Sequence, residues 1–60
     1  MQITYKVNGV PTTKSLAEWF FGVKFVAAHA KHAVSASEDG KKNSIKVWQN
    51  GTGYLAIEIH

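Results

Sequence analysis

Three features of this 60-residue chain predict an α+β domain of order ββαββ. A segment at each end alternates apolar and polar residues around a glycine-bearing turn, which is the pattern of a β-hairpin. Residues 15–36 carry apolar side chains at helical spacing and form the only stretch long enough for a full helix. Cysteine is absent, so no disulfide framework competes with a packed core. The expectation is one domain over residues 1–60: a four-stranded sheet with one long helix packed across one face.

The first strand follows from alternation. Met1, Ile3, Tyr5 and Val7 share one face, and Gln2, Thr4 and Lys6 share the other. Asn8-Gly9 is the strongest short hairpin signal, because both central residues of a type I′ turn need positive φ. Val10 and Thr12 continue beyond it. Pro11 lacks an amide donor, which assigns this short second strand to a sheet edge.

Ser15 and Glu18 read as a capping box, with each side chain meeting the other residue's free amide. From there Leu16, Trp19, Phe20, Val23, Val26, Ala27, Ala30 and Val34 make one apolar stripe. Phe21, Phe25, Ala28 and His32 make a second, on the far side. Gly22 within the helix costs about 1 kcal/mol relative to alanine. The helix should fade by Ala36 or Ser37, and Gly40 reverses the chain in a polar loop containing the basic pair Lys41-Lys42.

Residues 44–49 and 53–60 alternate again. Ile45 and Val47 oppose Lys46 and Trp48, and Leu55, Ile57 and Ile59 oppose Tyr54, Ala56, Glu58 and His60. Only a loop of odd length keeps the two apolar rows on one face. A Gly51-Thr52-Gly53 loop pairs Val47 with Ile57 and Lys46 with Glu58. The first and last strands are expected side by side and parallel, as in grasp-type domains. In element order alone the chain resembles the ubiquitin-like and immunoglobulin-binding protein G domains; it shares no motif with them. The expected core is Ile3, Tyr5, Val7, Leu16, Trp19, Phe20, Val23, Val26, Ala27, Ala30, Val34, Ile45, Val47, Leu55, Ile57 and Ile59.

Composition narrows the function. Sixty residues bury only about 60% of the surface of the unfolded chain, and without disulfides such a core relies on good packing or association. The net charge of +3 permits nucleic acid or an acidic partner without requiring either. The opening residues lack the pattern of a secretory signal, and Lys24, His29, Lys31 and His32 interrupt the one long apolar segment. The expected location is cytoplasmic. No glycine-rich phosphate loop, nucleophile elbow or cysteine suggests catalysis, cofactor or small-molecule substrate. His29 and His32 have zinc-ligand spacing, but nothing supplies the remaining ligands.

A helix that covers one sheet needs only one apolar side. The second stripe therefore reads as a docking face, with Phe21 and Phe25 as anchors, Ala28 continuing the stripe, and Lys24, His29 and His32 as its polar rim. Histidines beside such a face would couple association to mildly acidic pH. The expected function is a small non-catalytic binding protein that self-associates or meets another protein: a stoichiometric inhibitor, an antitoxin-like protein or an adaptor. The alternative is nucleic-acid binding. Lys6, Lys46, Trp48 and Tyr54 on the outer sheet face have the composition of a single-strand platform. Residues 16–23 also resemble the start of a helix-turn-helix, with Gly22 as the turn, residues 23–32 as recognition helix and the last hairpin as a wing. Against that stands one apolar stripe running unbroken through Gly22.

Overall fold

Gly22 decides the architecture. The computed structural model, which describes residues 2–41 and 43–60, divides the helical segment at this residue. The expected single helix is instead α1 (Lys14–Phe21) and α2 (Val23–Glu38). Gly22 adopts φ 96° and ψ 144°, close to a backbone region reserved almost entirely for glycine. Its N–H donates to the Glu18 carbonyl at 2.7 Å and ends α1. Its carbonyl accepts from the Val26 N–H at 3.1 Å and opens α2. One residue of non-helical backbone thus redirects the chain and uncouples the phases of the two apolar stripes.

The strands are β1 (Ile3–Val7), β2 (Val10–Thr12), β3 (Ser44–Gln49) and β4 (Gly53–Ile59). They form one sheet in the order β2-β1-β4-β3, antiparallel throughout. First and last strands are neighbours, as expected, but they run antiparallel rather than parallel. The break at Gly22 explains the difference. α1 starts next to Thr12, and the Phe21 carbonyl at its far end accepts from Gln49 Nε2 at 3.2 Å. α2 then returns the chain to the Ser44 end of β3. Two crossings of the sheet, rather than one, reverse the direction of every later strand.

Both hairpins show why their turns have the sequences they have. Asn8 and Gly9 have φ of 52° and 86°, as the type I′ turn requires, and Val7 pairs with Val10. In the second hairpin the loop is Asn50-Gly51-Thr52. Val47 therefore pairs with Leu55 and Lys46 with Ala56. The loop is odd, so the apolar rows stay together, but the register is displaced by two residues from the expected one. Two contacts favour it. Trp48 lies opposite Tyr54 with ring centroids 5.0 Å apart. Asn8 also latches the turn: its Oδ1 accepts from Tyr54 N–H at 3.0 Å and its Nδ2 donates to the Thr52 carbonyl at 3.3 Å. The Asn8 carboxamide occupies the space a Cβ at Gly53 would need, and Gly53 has φ 119°.

The helix ends also differ from the sequence reading. α1 is capped by Thr13, whose side-chain oxygen accepts from Leu16 N–H at 3.2 Å, so Ser15 lies inside the helix. Thr13 takes this role because it is still extended (φ −94°, ψ 162°). α2 ends in a Schellman motif. Gly40 (φ 72°) donates to Ser37 and Lys41 donates to Ala36, both at 3.0 Å. The expected places of Met1 on the inner face of the first strand and of Lys42 in the basic pair lie outside the described residues.

The core lies between the sheet and the helices. Tyr5, Val7, Leu55, Ile57 and Ile59 come from the sheet, and Ala17, Phe21, Val26 and Ala33 from the helices. Ile3, Phe25, Ala30, Val34 and Ile45 pack against them. The sheet side agrees with the sequence reading except at Val47, which is only half-buried and lines a groove rather than the core, but the α1 side is inverted. Leu16, Trp19, Phe20 and Val23, expected inside, are 52%, 77%, 47% and 62% exposed, while Phe21 is 5% exposed. Ala27 also faces solvent. The inversion follows from small residues: Ala17 and Ala33 are fully enclosed, so the helices can approach the sheet closely. Phe21 and Phe25, stacked at 5.4 Å, fill the remaining volume.

Candidate interaction surfaces

Among the described residues, three surfaces bear on function. The first is the outer face of α1. Trp19 and Phe20 each lie one turn on from Leu16, and Val23 opens α2 just beyond. Trp19 and Phe20 meet edge to face with centroids 5.2 Å apart. These four residues were visible in the sequence, where their size and spacing assigned them to the interior. The signal for the opposite assignment was the pairing of Gly22 with the small Ala17 and Ala33.

The second surface holds part of the docking face expected from the sequence. Phe21 is buried and Phe25 packs against the core, so neither ring anchors an external partner in the monomer. His29 is half-buried, its ring 4.5 Å from that of Phe25. The pH coupling expected of a rim beside exposed phenylalanines therefore loses its structural basis. Lys24, Ala28 and His32 are exposed. Ala28, His29 and His32 instead form one wall of an open groove of about 980 Å³. Asn43, Ser44, Ile45, Lys46 and Val47 of the neighbouring β3 segment form the other.

The third surface is the outer sheet face, and it gathers all four residues expected there. Lys6 and Lys46 both pair with Ala56, from opposite sides, so the three residues form one row across the sheet. Trp48 and Tyr54 form the next row, with Lys46 Nζ 5.7 Å from the centre of the Tyr54 ring. Glu58 intrudes, its Oε2 lying 3.4 Å from Lys6 Nζ. The helix-turn-helix reading fares differently. Gly22 does break the helix, contrary to the unbroken stripe, but the connection is a single residue where that motif uses roughly three to four. The start of α2 also buries Val26 against the sheet rather than presenting a free face.

Among the described residues no polar or charged side chain is buried, and no three His, Asp or Glu side chains gather as a metal site. None of the described helices is long and apolar enough to cross a membrane. Fold and surfaces together define a small α+β module on a four-stranded antiparallel sheet, with aromatic side chains exposed on both its helical and its sheet side. Compared with protein-family models, curated proteins and solved structures, the chain matches none.

Proposed function

We propose that this is a small, non-catalytic, cytoplasmic binding protein that acts by protein–protein contact through the outer face of α1, and that the occupant of this face is a second copy of the chain. The observation that carries this reading is the exposure of Leu16, Trp19 and Phe20 on α1, and of Val23 at the start of α2, in a 60-residue protein. Their combined exposure amounts to roughly 500 Å² of apolar surface, toward the upper end for a monomer. Two such patches brought together bury about 1,000 Å², the lower bound for a specific interface. No charged residue stands within the row, and Leu16 and Val23 are equidistant in sequence from the Trp19-Phe20 pair. In an antiparallel two-fold contact Leu16 would meet Val23 across the bend at Gly22, and Trp19 would meet Phe20, the self-complementarity a symmetric dimer needs. Such a dimer suits stoichiometric work as an inhibitor, an antitoxin-like protein or an adaptor.

The test is sedimentation equilibrium of the native chain and of Trp19→Asp with Phe20→Asp. The native chain should sediment as a dimer and the double variant as a folded monomer. An unchanged mass in the double variant would remove the proposal.

A second reading, a platform for single-stranded nucleic acid, draws support from the adjacent rows of Lys6, Lys46, Trp48 and Tyr54 on the outer sheet face. Its hallmark is affinity that falls steeply with added salt.

A further inference from the structure

We infer that the free edge of β3, together with the groove between it and α2, takes up an extended acidic peptide as a fifth strand of the sheet. The sheet has two edges. β2 has three residues and contains Pro11, which lacks a backbone donor. β3 has six residues and no proline. The Asn43 carbonyl accepts from Ile59 N–H at 2.7 Å. Because antiparallel pairs alternate, Asn43, Ile45, Val47 and Gln49 turn their backbone groups toward β4. Ser44, Lys46 and Trp48 turn theirs outward. Among the described residues, none of these outward N–H or C=O groups has a hydrogen-bond partner.

The side chains around this edge specify what is added. An incoming strand would point alternate residues toward α2, over Ile45, Val47 and Ala28, and the others toward the outer face beside Lys46. The α2 side is apolar with two imidazoles at its margin, and it favours aliphatic residues. The outer side carries Lys46; Glu58, opposite Ser44 on that face, is paired with Lys6 at 3.4 Å, and no carboxylate lines the groove. A strand alternating aliphatic and acidic residues thus satisfies both faces, and the chain's net charge of +3 reinforces the preference. A second copy paired about Lys46 would put two lysines directly opposite each other.

A fluorescein-labelled peptide of alternating valine and glutamate is the probe. Fluorescence anisotropy gives its affinity, and the protein's amide spectrum and hydrogen exchange locate it. We expect binding accompanied by exchange protection of the Ser44, Lys46 and Trp48 amides. An N-methylated version of the peptide, unable to donate along the strand, should not bind. Lys46→Glu, at an exposed position, should weaken binding by about tenfold as attraction becomes repulsion. Ser44→Pro, which removes one outward N–H without touching the ladder to β4, should weaken it as well. Three results would overturn the inference: no binding at millimolar peptide, equal binding by an alternating valine–lysine peptide, or spectral changes confined to Leu16, Trp19, Phe20 and Val23.

Discussion

Replacing Phe21 and Phe20 separately by alanine tests which side of α1 faces the sheet. The two residues are adjacent in sequence and identical in chemistry, and they differ only in environment. Phe21 is 5% exposed and stacks on Phe25; Phe20 is 47% exposed. Truncating a buried phenylalanine costs about 3–5 kcal/mol, from lost transfer energy and the cavity left behind. Truncating a half-exposed one costs about 1 kcal/mol by area. A chain of this length has a total stability of roughly 3–9 kcal/mol. Phe21→Ala should therefore be largely unfolded or close to it, and Phe20→Ala well folded. Urea titration followed by far-ultraviolet circular dichroism measures both. It should be run at two protein concentrations, because association adds a concentration-dependent increment. Equal losses from the two variants at the lower concentration, or a larger loss from Phe20→Ala, would refute the assignment of the inner face.

Other perturbations test other joints of the fold. Asn8→Ala removes both hydrogen bonds that fasten the second turn and should lower stability by about 1–3 kcal/mol, measured by the same titration. Gly53→Ala should cost more, since it combines backbone strain with displacement of the Asn8 carboxamide. Gly22→Ala meets no neighbouring atom, so its cost is conformational alone, about 1–3 kcal/mol, and thermal unfolding should show it. If the outer sheet face binds single strands, oligonucleotides at low salt should quench Trp48 fluorescence and added salt should reverse it. To isolate that signal, the titration is run on a Trp19→Phe background.

Much of the sheet was legible because its information is local. Alternation fixed the inner rows of β1, β3 and β4, and Asn8-Gly9 and the glycines at 51 and 53 announced their hairpins. The two-residue register displacement was not legible. It depends on Asn8 reaching the second turn from 44 residues or more away in sequence. The helical layer was misread for a related reason. Periodicity shows that two apolar stripes exist but cannot rank them, and bulk favoured Leu16, Trp19 and Phe20. Ranking them requires knowing that Ala17 and Ala33 bring the backbone close to the sheet. The conformation of Gly22 carried the same information, since a broken helix permits two crossings and an antiparallel β1–β4 pair. The outer sheet face was read correctly as a group because strand alternation alone brings Lys6, Lys46, Trp48 and Tyr54 together.

Site-directed cross-linking tests the proposed self-docking most directly, since the native chain has no cysteine to interfere. Leu16→Cys and Val23→Cys proteins are mixed and oxidised, with Lys31→Cys, on the exposed side of α2, as the reference. A two-fold contact through α1 should give the mixed Leu16→Cys/Val23→Cys dimer faster than either variant alone and far faster than Lys31→Cys. Equal rates at all three positions would contradict it and leave the exposed tryptophan and its neighbours without their proposed partner.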